Sequence, residues 1–232
     1  MEYIFQSDNI IHVLKTKPSD NSKLGFGFVV HTYHWSVDQI SSGVFTNDAH
    51  NCMDCPYSYN QNGGKTGGCY THGSMQGQGL RSMLKRLHRL FGEGKIESFN
   101  KNLFNAFLTL SSSASPVLTR LGVYGEPITL PLNVMGKLVR VSKSHTGYTH
   151  QWNKDTAGAY SKYLMASTHN NFETAIAESF GYRAFQSSKK MDAKMPVCPA
   201  SKEMAYKLTC IQCKACDGKA TNKTKSIFIH KH

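Results

Sequence analysis

The feature that most limits the fold is a regular alternation of strand-like and helix-like segments in the second half of the chain. Short apolar runs begin at Val117, Thr146, Tyr163 and Tyr182, and helix-like segments separate them. Units of about 25 residues that pair one strand with one helix predict a parallel sheet covered by helices. We therefore expect one α/β domain over residues 1–232, built on a mainly parallel sheet or a partial, irregular barrel.

The first half of the chain and its last residues follow weaker patterns. Residues 3–14 mix apolar and polar residues without a period, so no element is predicted there. The elements that we do predict are a strand, a second strand, two helices and a terminal strand, at residues 24–32, 43–46, 80–90, 98–110 and 226–232.

Four of the seven cysteines lie close together near the C-terminal end. Cys198, Cys210, Cys213 and Cys216 fall within nineteen residues, and the last three form C-x2-C-x2-C. Short steps of this kind let successive thiolates turn back onto one centre. This spacing is typical of metal ligands, and we expect metal-binding loops at one edge of the sheet.

The other three cysteines, Cys52, Cys55 and Cys69, form a second group. Turn-forming residues dominate between Cys55 and Cys69, which predicts a tightly wrapped loop. An odd number of cysteines in a chain expected to be cytoplasmic argues against a disulfide framework. The second group either completes the site of the C-terminal cysteines or forms a separate metal site.

The cysteine spacing suits two kinds of metal centre. A [4Fe–4S] cluster takes four thiolates, and the distant Cys198-Pro199 pair resembles the ligand pattern of iron–sulfur proteins with its order reversed. One or two zinc ions are the alternative, although the chain lacks the C-x2-C and H-x3-5-H pairing of a zinc finger. Buried structural thiols are a third interpretation, for which clustered spacing has no packing reason. We expect an iron–sulfur cluster, with zinc as the alternative.

Polar residues are predicted at the carboxyl ends of the strands, where parallel sheets place their chemistry. Glu126 follows one predicted strand, and Tyr148 and His150 lie near the end of the next. Their spacing of two places Tyr148 and His150 on one face of that strand. In the functional interpretation His150 is a general acid, base or ligand with Glu126 as its carboxylate partner, and all three are catalytic candidates. The structural alternative for His150 is a hydrogen-bonded core histidine.

The formal net charge of +12 favours a polyanionic partner, most simply DNA or RNA. Basic residues concentrate on the polar side of the helix at residues 80–90 and in the C-terminal part of the chain. The candidates for phosphate contacts are Arg81, Lys85, Arg86, Arg89, Lys219, Lys223 and Lys225. The alternative is a charged surface that only keeps the protein in solution.

The sequence carries no signal for export or for a membrane partner. It has no run of eighteen apolar residues, and its first residues have neither a basic segment nor a small-residue cleavage site. We therefore expect a cytoplasmic protein.

Several segments together resemble a group of bacteriophage and plasmid proteins related to the "gene product eighty-eight" domain. The matching segments lie within residues 43–232 and are CMDCPYSYNQNGGKTGGCY, TRLGVYGEP, GYTHQW, YLMAS, GYRAF and CPASKEMAYKLTCIQCKACDG. The resemblance implies a phage-encoded βα protein in the host cytoplasm, laid out like a partial barrel with its cysteines at one rim. It implies no established reaction. Glu126 stands where an aspartate is commoner in the group.

Two functions from different classes fit these observations. The first is an iron–sulfur protein that binds or modifies nucleic acid or a nucleotide, with a pocket at the strand ends. Polar residues at several strand ends favour it. The second is a non-enzymatic, zinc-stabilised module that binds nucleic acid or a host protein, in which the metal only closes the fold. The lack of a familiar catalytic triad or nucleotide loop favours this second function.

Overall fold

The structure is a computed structural model that describes residues 1–19, 21–66, 68–73, 75–190, 195–219 and 225–230. The strands within these ranges are β1 Glu2–Ser7, β2 Ile10–Ser19, β3 Gly27–Ser36, β4 Leu118–Tyr124, β5 His145–Thr149, β6 Met165–Thr168, β7 Ala184–Ser188 and β8 Ile227–His230. The α-helices are α1 Val37–Ser42, α2 Ala49–Cys52, α3 Tyr70–Gly73, α4 Met75–Gly92, α5 Lys101–Ser113, α6 Leu132–Val139, α7 Asn171–Ser179 and α8 Cys210–Cys213.

The strands form one sheet whose order follows the chain from β1 to β8. β1, β2 and β3 pair antiparallel, and each later strand lies parallel to the one before it. β1 and β8 are the two edges, so the sheet is open. The prediction of an α/β fold with mainly parallel strands is confirmed. Because β3 to β8 run in one direction, their carboxyl ends lie along one edge of the sheet.

The β1–β2 hairpin falls where the sequence predicted no element. Residues 10–14 are all buried. Ile11 and Val13 pack in the cluster that contains the α4 leucines, whereas Leu14 packs in the cluster of α5 and α6. A strand with both faces covered is apolar on both sides, so it loses the alternation that marks a half-exposed strand.

The strand predicted at residues 43–46 is wrong. Gly43 ends α1 in a left-handed conformation with φ of 65°, and its N–H donates to the carbonyls of Gln39 and Ile40. Phe45 follows in a turn and packs against Trp35 and Tyr124. The apolar residues that suggested a strand therefore belong to a loop that contributes to the core.

Both faces of the first four strands are covered by helices. Leu80, Leu84 and Leu87 of α4 pack on one face, and residues of α5 and α6 pack on the other. Residues in register across a sheet share a face, and His31 pairs with Arg120, which pairs with Thr146. The face under α4 therefore continues onto β5.

On β5 to β8 this same face is covered by an irregular segment instead of a long helix. Its buried residues Cys198, Ala200 and Cys216 pack with Met165 of β6 and Ile227 of β8. The C-terminal cysteines are thus part of the core over this half of the sheet.

Candidate functional site

The four C-terminal cysteines lie together. Cys198, Cys210, Cys213 and Cys216 line one cavity of about 40 Å³, here called the four-cysteine cavity. The remaining walls are formed by Lys23, Thr146, Tyr148, Phe185, Ala200 and Ala215. The fold therefore gathers the thiols that sequence spacing selected as metal ligands.

Backbone hydrogen bonds attach this segment to three parts of the fold. The N–H of Cys198 donates to the Phe228 carbonyl at 2.7 Å, and the N–H of Cys210 donates to the Lys23 carbonyl at 2.9 Å. The carbonyl of Cys216 accepts from the N–H of Gly147 at 3.3 Å. The cysteines are thus attached to β8, to the turn before β3 and to β5.

The C-x2-C-x2-C step folds back because α8 is a single capped turn. The Thr209 side chain accepts from the N–H of Gln212, and the Gln212 side chain accepts from the N–H of Thr209. After α8, Lys214 takes a left-handed conformation with φ of 52°. This reversal returns the chain to the sheet so that Cys216 lies on the same cavity as Cys210.

Burial makes the Cys198, Cys210 and Cys216 thiols weaker acids by raising their pKa values. The pKa of Cys216 rises to about 12. The positive charge of Lys23 opposes this rise at Cys198 and Cys210, and the Tyr148 hydroxyl opposes it through a hydrogen bond at Cys216. A bound metal cation would instead lower the pKa values of the thiols that coordinate it, since thiolates bind cations directly.

The N-terminal cysteines form a second group beside α2. Burial, followed by the negative charge of Asp48 and of the Cys55 and Cys69 thiolates, raises the pKa of Cys52. The three thiols are therefore within electrostatic reach of one another. The Cys55 Sγ lies 3.9 Å from the His150 Nε2 at the end of β5. The loop predicted between Cys55 and Cys69 therefore reaches the carboxyl edge of the sheet.

Glu126 and His150 meet at that edge, but not as the sequence suggested. The Glu126 Oε2 accepts from the backbone N–H of His150 at 3.2 Å, whereas the His150 ring contacts the Cys55 Sγ. Burial raises the pKa of Glu126 to about 7, and hydrogen bonds from the Thr149 side chain and from the backbone of His150 and Ile128 oppose that rise. Burial, and then the charge of His169, lower the pKa of His150 to about 4.

Tyr148 lies at the other cysteine group. Its ring packs on Phe185 with 4.6 Å between centroids, and its hydroxyl hydrogen-bonds Cys216. Glu126 and His150 therefore share a place with Cys55, whereas Tyr148 lines the four-cysteine cavity. The predicted three-residue pocket is divided between two sites.

Two residues near His150 were not predicted. His169 stacks on the His150 ring with 5.6 Å between centroids, and its Nδ1 lies 3.1 Å from the Tyr57 hydroxyl. His169 directly follows β6, just as His150 follows β5, so its position in the chain was a usable signal. Tyr57 lies in the loop between Cys55 and Cys69, where no sequence pattern marks it as a functional residue.

The basic residues of α4 are largely engaged within the protein. Arg86 binds Glu2 through two bonds of 2.6 and 2.7 Å, and Arg89 lies 3.4 Å from Glu93. Arg81 donates to the His72 carbonyl at 2.8 Å and lies over the Phe45 ring. Lys85 is exposed.

The C-terminal basic candidates lie elsewhere in the fold. Lys219 and Lys225 are exposed, and the backbone N–H of Lys219 donates to the Ser161 carbonyl beside β6. Lys223 lies outside the described residues. Since α4 packs on β2 and β3, the two basic groups belong to different halves of the sheet.

Comparisons with family models, curated proteins and solved structures find no match to this chain. Over the described ranges, no three His, Cys, Asp or Glu side chains are arranged to hold a metal ion. The same ranges contain no helix with the length and apolar character that a membrane span requires.

Proposed function

We propose that this chain is an iron–sulfur protein that binds or modifies a nucleotide or nucleic acid, with Cys198, Cys210, Cys213 and Cys216 as the ligands of a [4Fe–4S] cluster. The observation that carries the proposal is the gathering of these four thiols around one cavity. The resemblance to phage proteins fits this proposal and suggests a protein of the host cytoplasm.

The chemistry of the cavity suits a cluster. The four thiols line a common space. A polynuclear cluster needs its thiolates spread around it in this way. Phe185, Ala200 and Ala215 supply an apolar wall that limits water, a property that tunes cluster potentials.

The surrounding residues supply the donors and cations that thiolate ligands need. The Tyr148 hydroxyl hydrogen-bonds Cys216, and the backbone N–H of Ala200 hydrogen-bonds Cys198. The positive charges of Lys23 and Arg120 act on Cys210. When bound, such a cluster supplies one-electron transfer. We propose that these residues hold the thiolates and offset their charge.

At the carboxyl edge, Glu126 is the proposed proton-exchanging residue. With a pKa of about 7, both forms of its carboxyl are populated near neutral pH, as an efficient general acid or base requires. His150, with its lowered pKa, is neutral there and serves as a ligand or hydrogen-bonding group beside Cys55. We propose Cys52, Cys55 and Cys69 with His150 as a second, separate ligand set.

One observation favours a second candidate function. A cavity of about 40 Å³ holds little more than a few water molecules, and a single zinc ion suits so small a space. In this alternative the four cysteines bind zinc and attach the C-terminal segment to the sheet. The protein is then a metal-stabilised module for nucleic acid or a host protein.

The test is metal analysis and an absorption spectrum of protein purified without oxygen. The proposal expects iron, sulfide and a broad band near ~400 nm, as thiolate-ligated clusters give. Cys210→Ser should remove the band, whereas the matched variant Cys69→Ser should keep it. A colourless protein with stoichiometric zinc would contradict the cluster and support the zinc alternative. Loss of the band in both variants would indicate that the two cysteine groups form one shared site.

A further inference from the structure

A larger cavity lies between α4 and β2 to β4, apart from the cysteine sites. It measures about 420 Å³, within the range of small-molecule pockets. Four basic side chains line it, and we call it the basic cavity: Lys15, Lys17, His31 and Arg120.

The charge of the basic cavity is of one sign. Among its described lining residues there is no aspartate or glutamate. Lys15 lies 3.8 Å from Glu2, whereas Lys17 and Arg120 form no salt bridge with any described residue. The first turn of α4 contributes Met75 and Gln76 to the wall, which brings the positive end of the helix dipole to the same place.

His31 supplies independent evidence for a ligand. Only 6% of its surface is exposed, and neither ring nitrogen has a hydrogen-bond partner among the described residues. Buried polar atoms in native proteins nearly always have a partner, and here the ring borders a cavity large enough to hold one. Burial, followed by the charges of Lys17 and Arg120, lowers the pKa of His31 to about 3. An anion in the cavity would offset those charges.

Part of the wall is apolar, with Leu24, Leu80, Met83, Val123 and the ring of Tyr33. Ser19, Asn21 and Gln76 add polar side chains beside it. A ligand that fills the space therefore combines an anionic group with an apolar or aromatic body. A phosphate monoester carries close to two negative charges at neutral pH, which suits three cations better than a single carboxylate does.

We propose that the basic cavity binds a small phosphate-bearing molecule of nucleoside monophosphate size. The choice of a nucleotide over other phosphate esters rests on the proposed function, whereas binding in the cavity requires no metal centre. Arg120 links the two sites, because its charge also acts on Cys210 at the four-cysteine cavity. Arg120 also pairs across the sheet with Thr146, which lines the four-cysteine cavity, so the two cavities are neighbours on one face of the sheet.

The test is calorimetric titration of the full chain with AMP, adenosine and inorganic phosphate. We expect AMP to bind at least about tenfold more tightly than adenosine, since a charged hydrogen-bonded group is lost in adenosine. Lys17→Ala and Arg120→Ala should each weaken AMP binding by about tenfold on the same argument. Lys101→Ala is the control, because Lys101 is an exposed lysine of α5 that does not line the cavity. A thermal melt of each variant confirms that it is folded.

Equal binding of AMP and adenosine, equal losses of AMP affinity in Lys17→Ala and Lys101→Ala, or no binding of either AMP or phosphate would overturn the proposal. The proposal would also be overturned if a single-stranded oligonucleotide bound through Lys17 and Arg120 while AMP did not bind, since the occupant would then be a polymer. Cys213→Ser separates this proposal from the proposed function. AMP binding that survives in that variant supports the cavity even if no cluster is found.

Discussion

The two halves of the sheet differ in what covers them. Over β1 to β4, α4 packs on one face through three buried leucines, and a cluster of large side chains that includes Trp35 fills the interface. Over β5 to β8 the same face carries a smaller cluster in which two of the five buried residues, Cys198 and Cys216, are cysteines. One half is thus held by apolar packing, and the other has thiols where apolar side chains would pack.

This difference indicates in which half of the sheet a bound metal would contribute most to stability. An apolar interface stabilises the fold by itself in proportion to the surface that it buries. A segment with few apolar residues and a single helical turn has little such stabilisation, so a metal bound by four of its side chains would supply much of it. We therefore expect the two halves to respond differently to the same perturbations.

The largest expected effect is loss of the metal from the C-terminal half. Cys216→Ser should lower the free energy of unfolding by about 3 kcal/mol or more, because structural metal sites contribute directly to folding. Hydrogen exchange should then increase in β7, β8 and residues 195–219, while β1 to β4 keep their protection. An equal increase over the whole sheet would contradict the contrast between the halves.

A core substitution in the first half should act without regard to the metal. Leu84→Ala removes a buried side chain of α4 and should cost about 2–5 kcal/mol, as large-to-small core changes do. Chemical denaturation with and without chelator should give the same loss. Leu110→Ala is the control, since Leu110 of α5 is 56% exposed and should change little. A loss that depends on chelation would show that the halves are coupled.

Acid should weaken the first half through a buried histidine pair. The Nδ1 atoms of His12 on β2 and His34 on β3 lie 2.9 Å apart. Burial lowers the pKa of His12 to about 3 and that of His34 well below its ordinary value. Below pH 6.5 the unfolded chain therefore binds protons that the folded protein does not bind. The contribution of these histidines to stability is complete above that pH and is lost as the pH falls towards about 3.

Chemical denaturation at pH 7 and pH 5 measures this effect. Each such histidine should contribute a loss of about 1.4 kcal/mol per pH unit below its unfolded pKa. His34→Asn should reduce the slope by about that amount. His50→Asn is the control, because the His50 side chain is 70% exposed. An unchanged slope in His34→Asn would contradict the assignment.

The smallest expected effect concerns the basic surface. Lys85→Glu should weaken nucleic-acid binding and reduce the slope of log K against log salt by about 1, the value for one lost phosphate contact. Fluorescence anisotropy over a salt series measures it. Lys219→Glu makes the same charge change on the other half of the sheet. Equal slopes of log K against log salt in the wild type and both variants would show that neither lysine contacts nucleic acid.

Local pattern was enough for several parts of this protein. The helix predicted at residues 80–90 lies within α4, and the alternation after residue 117 matches β4 to β7. The reason is that helix and strand periods are properties of the chain itself wherever one side of an element is polar. β2 failed this test because residues 10–14 are buried on both of its faces.

For the sites, too, local spacing predicted some features, whereas contacts between distant segments decided others. Cysteine spacing selected residues that share a cavity, because C-x2-C steps act within one turn of chain. Placing Tyr148 and His150 in one pocket did not succeed, since the packed neighbours of each side chain come from distant segments. The basic cavity was not foreseen, because Lys15, His31 and Arg120 belong to three strands.

The sequence by itself determined the parallel α/β class, the main amphipathic helix and the four C-terminal thiols, because each follows from residues near one another in the chain. Only the tertiary structure decided that the sheet is open, that the Glu126 carboxylate accepts a hydrogen bond from the backbone N–H of His150, and that basic side chains from three strands surround one cavity. Those features depend on strand register and on which elements cover each face. These are long-range choices that local residue patterns do not encode.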